Sequence, residues 1–150
     1  MENVTNNNAS RARELNEQGA KYYQQGNLSA AIAAFTEAIS LDPHSEWGFY
    51  FNRGCSYDEQ GNLSAAIADY TESMRLNPKH VWSYRRRGMA RYIQGDLDGA
   101  QADFSADLQL QPNVYSYTDR GYVFLQKHDL EKALADFNEA LQPDMGNPEN

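Results

Sequence analysis

The sequence predicts an all-α fold, a solenoid of four helix–turn–helix units made from eight antiparallel helices. Three observations carry the prediction. The word GNLSAAIA occurs twice, at Gly26–Ala33 and Gly61–Ala68, and looser copies follow as GDLDGAQADF from Gly95 and HDLEKALADF from His128. The copies advance by 35, 34 and then 33 residues, a period that marks a stacked repeat architecture. Within each copy the apolar residues recur at helical spacing, as in Leu28, Ile32, Phe35 and Ile39, and no segment alternates as a strand would.

Each unit repeats the same punctuation. In the first, about 11–45, a helix bearing Leu15, Gly19 and Tyr22 ends at Gly26, which can take the left-handed conformation. Asn27 then caps a second helix carrying Ala31, Phe35 and Ala38, which stops before Pro43. The second unit, about 46–79, runs Tyr50, Gly54, Tyr57, Gly61, Asn62, Ala66, Tyr70, Ser73 and Pro78. The third, about 80–113, runs Tyr84, Gly88, Gly95, Asp96, Ala100, Phe104 and Pro112, with Arg91 and Asp107 replacing the tyrosine and the small residue. The fourth, about 114–142, has Tyr117, Gly121, Asp129, Ala133 and Phe137. There His128 stands in the helix-ending glycine column, at a cost of about 1 kcal/mol. One hairpin cannot bury its apolar face alone, so the units are expected to stack into one repeat domain over 11–142. Residues 1–10 are expected to be a flexible tail, as are the acidic residues 143–150.

Composition narrows the class. Thirteen Lys and Arg face 21 Asp and Glu, for a net charge of −8. That balance predicts no nucleic-acid partner. The longest apolar run, Ala30–Phe35, predicts no membrane insertion. With no signal-like segment at the start and a single cysteine, Cys55, a cytoplasmic location is expected.

The columns resemble those of the tetratricopeptide repeat family. The family pattern sets a large residue, a glycine and a tyrosine in the first helix against an alanine, an aromatic, an alanine and a closing proline in the second. The resemblance implies a right-handed solenoid whose first helices line a concave groove for peptides. On that basis the groove stripe comprises Arg13, Asn16, Tyr23, Phe51, Asn52, Trp82, Arg85, Arg86, Met89, Tyr92, Thr118, Asp119 and Tyr122, with Cys55 beside it. Members that clamp the acidic tails of heat-shock chaperones use two lysines, two asparagines and an arginine. Asn52 and Arg86 match two of those columns, while Asn16, Ala20 and Trp82 fill the other three, so tight binding of such tails is not expected.

Comparing the four copies also predicts an internal ion pair. Arg53, Arg87 and Arg120 each precede the glycine, and Asp69, Asp103 and Asp136 each precede the second-helix aromatic; the first unit, with Gln18 and Ala34, lacks both charges. Facing residues in an antiparallel hairpin keep a nearly constant sum of numbers, and Arg87 with Asp103 fits the sum set by Tyr84 with Phe104. These arginines are therefore assigned to structure, which leaves two readings for Arg85 and Arg86: either they meet a carboxylate or phosphate on a partner in the groove, or they are solvated residues that pair with nearby acids of the chain.

No catalytic constellation, metal set or cofactor motif is found. His44 and His80 read as solvated turn residues beside the closing prolines, and Cys55 as a small packing residue. The function expected is a non-catalytic scaffold for a protein or peptide partner. Two alternatives belong to other classes: a small acidic secretion or assembly chaperone, and a self-assembling solenoid. The last would form homo-oligomers through a C-terminal repeat left uncapped around Phe137, Ala140 and Leu141.

Overall fold

A turn that must reverse the chain within two or three residues needs a left-handed residue followed by a cap. Gly26, Gly61 and Gly95 supply the first at φ 73°, 77° and 83°, and His128 takes the same conformation at φ 60° without a glycine's freedom. Asn27, Asn62, Asp96 and Asp129 supply the cap, each side chain accepting from the N–H three residues on. These turns punctuate a computed structural model that describes residues 2–44 and 46–142.

The helices are α1 (Glu2–Gln24), α2 (Leu28–Leu41), α3 (Trp47–Glu59), α4 (Leu63–Leu76), α5 (Val81–Gln94), α6 (Leu97–Leu110), α7 (Val114–Gln126) and α8 (Leu130–Ala140). Among the described residues there is no strand. The fold is the all-α helical-repeat class expected.

The chain divides between Pro78 and Lys79 into two units. The first holds hairpins α1/α2 and α3/α4, with α2 packed against α3; the second holds α5/α6 and α7/α8, with α6 packed against α7. The segment expected as an N-terminal tail is instead helical from Glu2. No glycine or proline interrupts the chain before Gly19, and adding residues to an existing helix costs only tenths of a kcal/mol each, about 0.7 at most. The other expected tail, 143–150, lies outside the described residues.

Packing within each hairpin follows one rule: a glycine on the first helix faces an aromatic ring on the second. A Cβ added at Gly19 would lie 2.6 Å from Phe35, at Gly54 2.9 Å from Tyr70, at Gly88 2.8 Å from Phe104 and at Gly121 2.5 Å from Phe137. The helices thus approach as closely as a missing side chain allows. Ala31, Ala66, Ala100 and Ala133, each at most 1% exposed, complete the close approach. Apolar clusters fill the layers: Ala12, Leu15, Ala38 and Phe49 in the first unit, and Ala100, Phe104 and Val123 in the second.

Candidate functional site

The site candidates sit on the first helix of each hairpin, held in place by pairs between hairpin helices. Arg53 donates from Nε to Asp69 Oδ2 at 2.7 Å and from Nη2 to Oδ1 at 2.8 Å. Arg87 holds Asp103 in the same way at 2.9 and 2.7 Å, and Arg120 holds Asp136 at 2.7 and 2.7 Å. Two parallel charge-assisted bonds fix both side chains. Donating a hydrogen bond to Asp69 raises the Arg53 pKa further, against the opposing effect of burial, and donating to Asp136 does the same for Arg120. Arg53 and Arg120 also reach back to the preceding hairpin, donating to Thr36 Oγ1 at 3.1 Å and Ser105 Oγ at 3.0 Å. In the third hairpin Arg91 adds a further bond to Asp103 Oδ2 at 2.9 Å.

In the first unit, Asn52 Nδ2 donates to Asn16 Oδ1 at 2.9 Å, a bond that joins α1 to α3. Arg13 pairs with Glu46 at 3.2 Å on the open surface, and the Tyr23 hydroxyl donates to Glu59. Phe51 lies 5.8 Å from the Tyr70 ring and, with Cys55, serves the packing of α3 on α4.

In the second unit the two arginines differ. Arg85 Nε donates to Asp119 Oδ2 at 3.0 Å, and its guanidinium lies 4.5 Å from the Tyr115 ring centroid and 5.8 Å from that of Trp82. Burial pushes the Asp119 carboxyl above its ordinary range; Arg85 opposes that rise and the nearby Asp107 adds to it. Arg85 is therefore committed within the fold. Arg86, one residue on, is exposed and has no carboxylate partner among the described residues, whereas every other arginine of the chain is paired. It borders an open hollow of about 210 Å³ with Trp82, Arg85 and Met89. Met89 and Tyr92 otherwise pack on the Phe104 cluster, and Thr118 donates to its own helix at Val114 O, 2.8 Å away. Tyr122 is exposed and stands edge-on to Phe137, their centroids 5.4 Å apart.

His80 is half-buried at the start of α5, its Nδ1 2.8 Å from Ser83 Oγ, and is not the solvated turn residue expected. Burial lowers its pKa. Among the described residues no three His, Cys, Asp or Glu gather as a metal set.

Sequence profiles of the tetratricopeptide repeat match residues 12–45, 49–80 and 85–148. The chain belongs to the tetratricopeptide repeat family. Among curated proteins it is 30% identical over 101 residues to human (Homo sapiens) RNA polymerase II-associated protein 3. That match covers 67% of this chain and only 15% of the relative, so the chain spans a small part of that protein's length. A solved structure of the first such domain of Spaghetti (RPAP3), bound to the HSP90 peptide SRMEEVD, is 28% identical, with a TM-score of 0.69 over 85% of this chain and 95% of that one. The Arabidopsis OM64 tetratricopeptide domain is 30% identical, with a TM-score of 0.75 over 81% of this chain and 98% of that one. MamA reaches a TM-score of 0.84 at 22% identity, over 87% of this chain and 76% of that one, a likeness of fold alone.

Tetratricopeptide first helices here also bond to one another with a fixed offset. Asn16 and Arg85 lie three residues before their glycines; their partners Asn52 and Asp119 lie two residues before the next ones. Tyr23 and Glu59 keep the same one-residue advance. That signal was available in the numbering and would have paired Arg85 with Asp119.

Proposed function

We propose that this chain is a non-catalytic protein-interaction module that holds a peptide segment on its first-helix faces and meets a carboxylate of that peptide with Arg86. The observation that carries the reading is the exposed guanidinium of Arg86, without a carboxylate partner among the described residues in a fold that ties every other arginine to an acid. Its planar fork matches a carboxylate, and the adjoining Trp82 and Met89 offer apolar contact area. The binding of an HSP90 peptide by the Spaghetti domain supports a peptide partner of this chemistry. The tail clamp itself is a poor fit. Asn16, Ala20 and Trp82 occupy three of its columns, and Asn52 is already bonded to Asn16.

The test is capture of partners from a lysate by the wild-type chain and by Arg86→Glu, with labelled SRMEEVD titrated in parallel by fluorescence anisotropy. Loss of a partner from the folded variant, recovered in part by Arg86→Lys, supports the reading. Equal capture by both removes Arg86 from it, and micromolar or tighter SRMEEVD binding restores the clamp.

A second reading, association of copies through the last hairpin, is favoured by one observation. Leu130, Leu134 and Leu141 on and just after α8 are 67%, 62% and 80% exposed, an apolar strip of the kind that pairs. Molar mass measured over a range of concentrations decides it, since a monomer at all concentrations rules it out.

A further inference from the structure

A cavity of about 80 Å³ lies between the start of α5 and the start of α7, beside the end of α6. Trp82 walls it from α5 and Tyr115 from α7, and both aromatic residues are 42% exposed. One guanidinium holds both rings. Arg85 lies 4.5 Å from the Tyr115 centroid and 5.8 Å from that of Trp82, and it is itself anchored on Asp119 at 3.0 Å. The aromatic walls are therefore set before a partner arrives, which removes most of the cost of ordering them on binding.

The polar groups open on this wall are mainly donors. The Trp82 indole N–H and the side-chain amide of the exposed Gln111 have no hydrogen-bond partner among the described residues. The one carboxylate in the lining, Asp107, offers a ligand no oxygen: Oδ2 accepts from Ser116 Oγ and, at 3.0 Å, from Asn113 Nδ2, while Oδ1 is buried. The charge of Arg85 is met by Asp119, so the slot calls for no ion. An ordinary peptide brings an N–H beside each carbonyl, and no open carboxylate waits here to accept it. A prolyl residue brings the carbonyl alone.

We propose that this slot receives a proline of a protein partner, held in an extended polyproline II segment, with its ring against Trp82 and Tyr115 and a backbone carbonyl of the segment accepting from the Trp82 indole N–H. Aromatic-lined slots suit that conformation because the segment is already extended when free and its rigid rings pack flat on aromatic faces. A leucine or isoleucine would cover the same walls, but its side chain must be ordered on binding and its N–H finds no carboxylate. The inference rests on the interaction-module reading for the source of the proline, and it adds the apolar residue that accompanies the carboxylate. Trp82 and Arg85 wall both this cavity and the Arg86 hollow, so one segment can place its proline here and its acid on Arg86.

The experiment titrates the full chain with two uncharged peptides of equal length capped at both ends, hexaproline and an alternating Ser-Leu hexapeptide. The readouts are NMR shifts of the Trp82 indole N–H and the Gln111 side-chain amide, with the Trp47 indole as an internal control. Saturable shifts at Trp82 and Gln111 but not at Trp47 are expected with hexaproline, and at least tenfold weaker binding with the Ser-Leu peptide. Tyr115→Ala, followed at both groups, and Trp82→Ala, followed at Gln111, each lower hexaproline affinity at least tenfold. Both residues are part-exposed, and the dispersion of the remaining spectrum shows that each variant is folded. No saturable shift at Trp82 with millimolar hexaproline, equal or tighter binding of the Ser-Leu peptide, or undiminished binding by either folded variant each overturns the proposal. Arg86→Ala leaves hexaproline binding unchanged, because that probe carries no carboxylate. The peptide reading can therefore fail at Arg86 while the proline slot stands, and the reverse.

Discussion

Arg85 on α5 and Asp119 on α7 are joined at 3.0 Å, with side chains only 26% and 14% exposed. Removing one partner strands the other in a desolvated place. Arg85→Ala is expected to destabilise the chain by about 2–4 kcal/mol, and the double variant with Asp119→Ala by clearly less than the summed single costs. Urea unfolding of the four proteins of that cycle measures the coupling. A coupling energy near zero would show that the pair is incidental.

Asp103 carries more than its counterparts. It accepts from Arg87 twice and from Arg91 once, whereas Asp69 and Asp136 receive no second arginine. Asp103→Ala therefore strands Arg87 and leaves Arg91 only its longer contact with Asp96 at 3.7 Å, at about 3–5 kcal/mol, and should lower the unfolding midpoint more than Asp69→Ala or Asp136→Ala. Thermal melts of the three single variants rank them directly.

Gly88 marks where the α5/α6 hairpin has no slack. A Cβ there would stand 2.8 Å from Phe104, which is 1% exposed and has nowhere to swing. Gly88→Ala is expected to cost about 1–3 kcal/mol by overpacking, despite the better helix propensity of alanine. Adding Phe104→Leu should return part of the loss, and a fully additive double variant would contradict the steric account.

His80 sets a pH dependence. Burial lowers its folded pKa below the ordinary 6.5, so between those two values the unfolded chain binds more protons than the folded one. Stability from this group is therefore fully present above pH 6.5 and declines as pH falls toward the folded pKa. The slope can approach about 1.4 kcal/mol per pH unit. His80→Gln should flatten that slope in denaturant unfolding measured from pH 7.5 to 5. An unchanged profile would place the dependence elsewhere.

Much of this architecture was readable before any coordinates, because four internal copies act as their own comparison. The capping residues Asn27, Asn62, Asp96 and Asp129, the glycine–aromatic columns and the Arg87–Asp103 facing pair are all local or within one hairpin. Their positions follow from helix periodicity and turn chemistry alone. What escaped was the set of bonds between hairpins. No acid could be named for Arg85 because its partner lies on the next first helix, shifted by one residue from the repeat column. Arg91 read only as a replacement in the tyrosine column, although it lies one helical turn after Arg87 and reaches the same carboxylate. Asp107 read as a lapse from a small-residue column; only the packing around it shows an oxygen buried without a hydrogen-bond partner among the described residues.

The reach of Arg53 to Thr36, repeated by Arg120 to Ser105, has a bearing on how such a chain can grow. Each arginine fastens its own hairpin and the one before it with a single side chain, so the joint travels with the segment that encodes it. Duplicating one such stretch of the gene would carry along both the clasp and its neighbour's hydroxyl, and the new hairpin would arrive already equipped to dock. The verbatim GNLSAAIA words are the trace such copying leaves while two daughters have yet to drift apart.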